Sequence, residues 1–214
     1  MSEIIHTDGD KSVLAGDLVP CWSCKGPVDR RALFCHTCSA IQPPHSIDHF
    51  SRLGMPQKFD LDSNDVERNY FRFQRVVHPD RFTAKSAREK SLSQAQAVAL
   101  NDAYETLRDP LARAMHLLDL SGAALPKDGH TVKDPTLLMA ALEDRETLAA
   151  ASTSSEVDRL IDTAQKRLDD LIEELGGHFC AGRLEAAQSA VLRLRYLEKY
   201  LDEAQAKRRK LGSA

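Results

Sequence analysis

The sequence contains few aromatic residues, no long hydrophobic run and no large excess of charge of one sign. Aromatic residues make up 6% of its 214 positions, which together with abundant Leu, Ala, Glu and Arg favours helices over sheets. No apolar run approaches the roughly 20 residues that span a bilayer, so we expect no membrane partner. The net charge of −3 argues against a uniformly basic protein that binds nucleic acid.

The amino terminus lacks the features of a targeting segment. Residues 1–19 contain four acidic residues and one lysine. A secretory signal needs a basic start and an apolar stretch, and a mitochondrial transit peptide avoids acids. We therefore predict a cytoplasmic protein with reduced thiols, in which residues 1–19 form a flexible tail.

Cysteine is also scarce, but four of the five cysteines fall into two C-x2-C pairs. Cys21 pairs with Cys24, and Cys35 pairs with Cys38. Two such pairs form a tetrahedral site of four thiolates that suits Zn²⁺, so we predict one structural zinc ion in a small domain at residues 20–42. Such a short segment cannot bury a core of its own and would depend on the metal for its stability.

Other interpretations of the cysteines remain open. Two disulfides would need an oxidising compartment, and a redox-active C-x-x-C normally opens a helix of an α/β domain. His36 could replace one thiolate, and iron could replace zinc. The fifth cysteine, Cys180, is predicted to be a packed thiol without a role.

Residues 46–120 show the pattern of an antiparallel pair of helices. Asp62 and Ser63 are candidate N-caps of a helix that ends at about Val77. Its apolar stripe consists of Val66, Tyr70, Phe73 and Val77, and its opposite face carries Arg68, Arg72 and Arg75. A second helix is predicted from about residue 87 to residue 108, with inward-facing Leu92, Ala99, Ala103 and Leu107.

His78-Pro79-Asp80 lies between these helices and is predicted to form an exposed loop, because proline disfavours a helical conformation in the preceding residue. The basic helix, this triplet and the stretch from Asn101 to Leu107 together resemble a J-domain. The resemblance implies that the loop stimulates ATP hydrolysis by a 70-kDa heat-shock chaperone, with Asp80 as its main polar contact and His78 and Pro79 fixing the loop. It also implies that the three arginines meet an acidic chaperone surface.

Two alternatives apply to this region. Taken alone, the three arginines are typical of a solvated helix face. His78 and Asp80 would suit acid–base catalysis, but no nucleophile, orienting group or phosphate-binding loop accompanies them. We therefore predict that the chain is not an enzyme.

Residues 121–214 are predicted to form a bundle of three helices joined by short loops. The first helix begins at Pro135 and ends near residue 151, the second begins near Ser155 and ends at Gly176-Gly177, and the third covers roughly residues 183–207. The first helix has a core stripe of Leu137, Ala141 and Leu148, and a second apolar strip of Leu138, Met139 and Leu142. The second strip is either a partner surface or is buried between neighbours on two sides.

Several stretches also resemble HscB, the family of J-domain co-chaperones that serves iron–sulfur cluster assembly. They are Leu137-Leu138-Met139, Leu142-Glu143-x-Arg145-Glu146, Leu194-Arg195-Tyr196-Leu197, His130-Thr131-Val132 and Asp109-Pro110-Leu111-x-Arg113-Ala114. The resemblance covers roughly residues 46–204, and the cysteine pairs resemble those of the zinc-containing members.

This resemblance implies that the bundle binds the iron–sulfur scaffold protein IscU and that the hairpin presents this scaffold to an HscA-type chaperone. The scaffold-binding residues carried over by position are Leu138, Met139, Leu142, Glu143, Arg145, Glu146 and Tyr196. Two positions depart from the family pattern. Tyr196 stands where phenylalanine is common, and Lys133 replaces a frequent arginine, which removes a bidentate donor.

Two other functions remain as alternatives, and the chain could also form a homodimer. The cysteine pairs and the basic stretch Lys207-Arg208-Arg209-Lys210 would suit a zinc-dependent module that binds nucleic acid, although aromatic residues near basic clusters are lacking. Reactive C-x-x-C pairs would suit thiol–disulfide exchange. The cysteine domain could also pair two copies of the chain in a homodimer.

Overall fold

Helices dominate the computed structural model, which describes residues 17–125 and 135–212. The helices are α1 (His49–Leu53), α2 (Ser63–Val77), α3 (Ala87–Arg108), α4 (Pro110–Leu120), α5 (Pro135–Ala150), α6 (Ser154–Cys180) and α7 (Leu184–Gly212), with a 3₁₀ helix at Pro79–Phe82. Strands β1 (Leu18–Pro20) and β2 (Pro27–Asp29) form an antiparallel pair. The predicted all-α fold class is confirmed. Within the described ranges, no helix is long and apolar enough to cross a membrane.

The described residues form two compact units. The first contains residues 17–57 and 61–109, and the second contains residues 58–60 together with the described residues from 110 onward. This division differs from the predicted domain ranges, because the cysteine segment packs with the helical hairpin and α4 belongs to the C-terminal unit. Of the predicted tail, residues 1–16 lie outside the described residues, whereas Leu18 and Val19 lie in β1.

Helix α2 begins and ends close to where the sequence predicts. The Asp62 carboxylate caps its amino end by accepting a hydrogen bond from the Asn64 backbone N–H at 2.8 Å. His78 ends the helix because Pro79 follows it. The predicted loop is in part the 3₁₀ helix, which buried Phe82 anchors to the unit.

Helices α2 and α3 form the predicted antiparallel hairpin. Tyr70 of α2 stacks on Tyr104 near the end of α3, with ring centroids 4.3 Å apart. At the other end of the hairpin, the Ser93 hydroxyl donates to the backbone carbonyl of Val77 at 2.6 Å. These contacts occur in opposite order along the two helices, so the helices run in opposite directions.

The inner face of α3 is more polar than predicted. Leu92 and Ala99 are only half-buried, whereas the predicted inner residues Ala103 and Leu107 are buried. The remaining buried residues of this face are Ser93, Gln96, Ala97 and Leu100. Apolar periodicity misses Ser93 and Gln96, because both are polar residues whose donor groups, the Ser93 hydroxyl and the Gln96 amide N–H, are hydrogen-bonded in the interior.

The second unit contains the predicted three-helix bundle. Ion pairs join the start of α7 to the end of α6, with Arg193 and Glu174 at 2.7 Å, and the end of α7 to the start of α6, with Arg208 and Asp158 at 2.9 Å. Helices α6 and α7 are therefore antiparallel. One part of their core, which includes a residue of α5, consists of Leu148, Val157, Ala164, Tyr200, Leu201 and Ala204.

The N-cap of helix α6 lies two residues earlier than predicted. Thr153, and not Ser155, is the N-cap: its hydroxyl accepts a hydrogen bond from the Glu156 N–H at 3.2 Å. The Glu156 carboxylate in turn accepts one from the Thr153 N–H at 3.0 Å. This reciprocal pair is a capping box, which satisfies two backbone donors at once.

The prediction that Gly176 and Gly177 end α6 was wrong, because the helix continues to Cys180. A Cβ atom at Gly176 would lie 2.6 Å from a carboxylate oxygen of Asp60. The absence of a side chain at this position therefore lets Asp60 come close to helix α6. The chain turns at Gly182, whose φ of 66° is left-handed. Cys180 itself is exposed, which corrects the prediction of a packed thiol.

Candidate functional site

Four sulfur atoms converge in the first unit. The sulfurs of Cys21, Cys24, Cys35 and Cys38 all lie within 4.8 Å of one another. The Cys21–Cys38 and Cys24–Cys35 sulfur pairs are each 3.7 Å apart. A tetrahedral ion with metal–sulfur bonds of about 2.3 Å would separate its sulfurs by about 3.8 Å. The four predicted cysteines are therefore positioned to bind one metal ion.

Each cysteine pair lies on the same type of backbone turn. The Lys25 N–H donates to the Cys21 carbonyl at 3.0 Å, and the Ser39 N–H donates to the Cys35 carbonyl at 2.8 Å. Lys25 and Ser39 are left-handed, with φ values of 65° and 57°. Within the first turn, the Ser23 N–H points at the Cys21 sulfur at 3.4 Å. The backbone is thus arranged to stabilise thiolates.

The thiols differ in how readily they ionise. Burial opposes the Cys21 thiolate, but hydrogen bonds from the Cys24 and Ser23 backbone outweigh it and lower the pKa of Cys21 to about 6. Backbone hydrogen bonding also lowers the pKa of Cys35. A hydrogen bond from Gly26 favours the Cys24 thiolate, but the neighbouring sulfurs and burial raise the pKa of Cys24 to about 11. A bound cation would relieve this crowding of negative charge.

The alternative of two disulfides does not fit this geometry. All the cysteines among the described residues are free, and sulfurs 3.7 Å apart are far from the bonding distance of about 2.05 Å. His36 is exposed and does not belong to the group of four ligands. The donor set is therefore four sulfurs.

The predicted chaperone-binding triplet lies at the exposed tip of the hairpin. The side chain of Asp80 is 87% exposed. The Asp80 backbone N–H donates to Nδ1 of His78 at 3.3 Å, and the Arg81 N–H donates to the His78 carbonyl at 2.9 Å. His78 thus organises the first turn of the 3₁₀ helix, while the Asp80 carboxylate faces solvent.

The three predicted arginines are all exposed on α2. Arg68 is paired with Asp65 one turn earlier, and the Arg72 guanidinium lies 4.7 Å from the centroid of the Phe73 ring. Arg75 shares a shallow depression with His78. The arginine face therefore continues up to the triplet.

Sequence reasoning missed three residues of this depression, Phe71, Gln74 and Arg81. Phe71 is 54% exposed, and its ring centroid lies 5.1 Å from that of Tyr70. The signal in the sequence was an aromatic residue immediately beside Arg72, outside the apolar stripe. Arg81 directly follows Asp80 and adds a fourth positive charge near the triplet.

The second apolar strip of α5 is exposed and not buried between neighbours. Leu138, Met139 and Leu142 are 49%, 60% and 54% exposed, and Glu143, Arg145 and Glu146 surround them at the surface. Only Leu148 of α5 is buried. We call this exposed strip with its charged residues the α5 face.

Polar contacts hold α5 against the rest of its unit. The Tyr196 hydroxyl donates to the Ala141 carbonyl at 2.6 Å, and the Lys207 ammonium donates to the Ala149 carbonyl at 2.8 Å. Arg167 pairs with Asp144 at 2.9 Å. Tyr196 is half-buried beneath the helix, where burial first, and then the Asp144 carboxylate, raise the pKa of its hydroxyl. It lies behind α5 and not among the exposed side chains with which it was predicted to act.

The basic stretch at the end of α7 is partly engaged within the chain. Lys207 contacts the carboxyl end of α5, and Arg208 pairs with Asp158. These contacts occupy charges that a nucleic-acid interface would need, which weakens that alternative.

The chain is similar to known proteins in both of its units. A family model described as the HSCB C-terminal oligomerisation domain matches residues 133–205. The iron–sulfur cluster co-chaperone protein HscB of Homo sapiens is 31% identical to the chain over 209 residues, which cover 93% of this chain and 87% of the human protein. The chain belongs to the HscB family. It is therefore similar over most of its length to proteins described as iron–sulfur cluster co-chaperones.

Other HscB proteins are also similar to most of this chain. The Mus musculus protein is 30% identical, with 88% of this chain and 82% of that protein covered. The crystal structure of human HscB superposes with a TM-score of 0.83 at 29% identity and covers 88% of this chain and 98% of that one. HscB from Vibrio cholerae superposes with a TM-score of 0.69 at 28% identity, covering 77% and 99%.

Proposed function

We propose that this HscB-family chain joins an IscU-type scaffold protein to an HscA-type 70-kDa chaperone and stimulates ATP hydrolysis by that chaperone. The observation that carries the proposal is the presence of two exposed surfaces of different chemistry in its two units. One is basic and ends at Asp80, and the other is the apolar and acidic α5 face.

The basic surface suits an acidic partner. Arg68, Arg72 and Arg75 are exposed on one helix, with Arg81 close to the triplet. Exposed charges of this kind steer association and fix the orientation of a complex more than they add affinity. The Asp80 carboxylate, which is the one negative group of the triplet, would then pair with a cation on the chaperone and gain strength as the interface excludes water.

The α5 face suits a scaffold with an apolar patch. Three neighbouring apolar side chains that are each about half-exposed form the kind of patch that marks a protein interaction site. Glu143 and Glu146 at its edge would add specificity through charge. Tyr196 contributes indirectly, since its hydroxyl holds the backbone of α5 at Ala141.

The four cysteines would hold a zinc ion. Sulfur distances of 3.7 Å fit tetrahedral zinc, and a complete shell of four thiolates leaves no position for a reacting water molecule. Bound zinc would supply structural stability to the segment around β1 and β2.

Within the complex, one chain that binds both partners raises the effective concentration of scaffold at the chaperone, so ATP would be hydrolysed where cargo is present.

The direct test measures steady-state ATP hydrolysis by an HscA-type chaperone with and without the purified chain and scaffold. We expect the chain alone to stimulate hydrolysis and the scaffold to increase the stimulation further. A rate that stays basal in the presence of a saturating amount of chain and scaffold would contradict the proposal.

Replacing Leu142 with alanine should weaken scaffold binding about tenfold, because it removes a central apolar side chain from the α5 face. Isothermal titration calorimetry with the scaffold measures the loss. Leu120→Ala is the matched control, since Leu120 lies in the same unit and is 44% exposed but belongs to α4. Equal weakening by both variants, or by neither, would show that the scaffold binds elsewhere.

A further inference from the structure

Three buried polar side chains link the cysteine site to α3, and α3 to the end of α2, through two separate sets of hydrogen bonds. Gln42, Ser93 and Gln96 are 1%, 0% and 2% exposed. Gln42 lies next to the cysteine site, and the other two lie one turn apart on the inner face of α3. Buried polar groups are costly unless they are hydrogen-bonded, so their partners are informative.

The first link joins the cysteine site to α3. The side-chain amide of Gln42 donates to the Cys21 sulfur at 3.4 Å and to the Ala40 carbonyl at 2.8 Å. The backbone carbonyl of Gln42 accepts a hydrogen bond from the Gln96 side chain at 2.9 Å. A single residue therefore contacts a metal ligand on one side and α3 on the other.

The second link joins α3 to the exposed triplet. One turn before Gln96, the Ser93 hydroxyl donates to the Val77 carbonyl at 2.6 Å. Val77 is the last residue of α2 and immediately precedes His78. Carbonyl groups at the end of a helix lack partners within the helix, and Ser93 supplies one here. The start of the triplet is thus fixed by α3.

We propose that Gln42, Gln96 and Ser93 are positioning residues that couple metal binding at the four cysteines to the rigidity of the segment from His78 to Asp80. The role of that segment rests on the proposed function, but the coupling is a property of this chain alone. A metal ion would hold the Cys21 sulfur in one place, which makes it a better placed acceptor for the Gln42 amide than a mobile cysteine side chain. Because coupling is reciprocal, changes in α3 also alter metal affinity.

Amide hydrogen exchange of the full chain tests the coupling, with Zn²⁺ bound and after removal by a chelator. In the wild type, we expect metal removal to accelerate exchange at Arg81, whose N–H bonds to the His78 carbonyl, several-fold. In Gln96→Met and Ser93→Ala this response should be lost. Gln94→Met and Ser91→Ala are matched controls, because both residues are exposed on the same helix, and they should respond like the wild type.

Titration with Co²⁺, followed by its thiolate charge-transfer absorbance, gives a second readout. We expect Gln96→Met to bind Co²⁺ several-fold more weakly than Gln94→Met, although neither residue contacts the sulfurs. If Gln96→Met does not fold, Ser93→Ala decides the exchange experiment. A wild-type segment that does not respond to metal removal, or a Ser93→Ala segment that responds as the wild type does, would overturn the coupling. Neither measurement involves the chaperone, so both stand apart from the test of the proposed function.

Discussion

We expect the Asp80→Asn variant to leave ATP hydrolysis by the partner chaperone at its basal rate. The substitution keeps the size of the side chain and the backbone N–H that donates to His78, but it removes the negative charge. A hydrogen bond to a charged group is worth about 1.5–3 kcal/mol, which corresponds to a factor of about 10–150 in an equilibrium constant. Because the side chain is 87% exposed, the fold should not change.

The measurement is steady-state ATP hydrolysis over a range of chain concentrations, together with scaffold affinity measured separately. Asp80→Asn should bind the scaffold as tightly as the wild type, since the α5 face belongs to the other unit. Asp102→Asn is the control, because Asp102 is an exposed carboxylate of the same unit on α3. Stimulation by Asp80→Asn equal to that of the wild type would contradict the proposed role of the triplet.

Helix boundaries could be predicted where a local signal determines them. Asp62 and Pro79 set the two ends of α2, since capping and the restriction before proline act within a few residues. The end of α6 could not be predicted in this way. Gly176 there permits an approach of Asp60, which is distant in the sequence. Tertiary packing therefore overrode the low helix propensity of glycine.

The candidate functional residues could likewise be predicted only where a local sequence signal determines their positions. The spacing of the four cysteines identifies the ligand set, because each pair of ligands lies on one short turn. Gln42 and Gln96 could not be found, since periodicity identifies buried positions by hydrophobicity. Tyr196 was assigned to the α5 face by resemblance, but its contact with Ala141 depends on how α7 packs under α5. Side-chain direction, unlike the existence of a helix, is a property of the folded unit.

Replacing Cys35 with serine should remove the whole equivalent of bound zinc. Cys35 is 1% exposed and lies among the four sulfurs, so the hydroxyl would leave an incomplete shell. The core around it consists of Cys21, Val28 and Cys35, with Val19 and Ala32 packed against them. So few side chains cannot stabilise the segment, and metal binding in comparable small domains supplies about 10–16 kcal/mol. We therefore expect the segment to unfold locally.

Two measurements on the same samples check this expectation. Metal analysis should find one zinc ion per chain in the wild type and none in Cys35→Ser, whereas Cys180→Ser, which changes the exposed cysteine outside the site, should keep its zinc. Fluorescence of Trp22, the single tryptophan, should change in Cys35→Ser alone, since its indole N–H donates to the Ile41 carbonyl and its ring packs under Arg88. Helical circular dichroism should change little, because the buried residues of α1 and α3 include Phe50, Leu53 and Leu100 and no cysteine. A full equivalent of zinc retained by Cys35→Ser would refute the site of four thiolates.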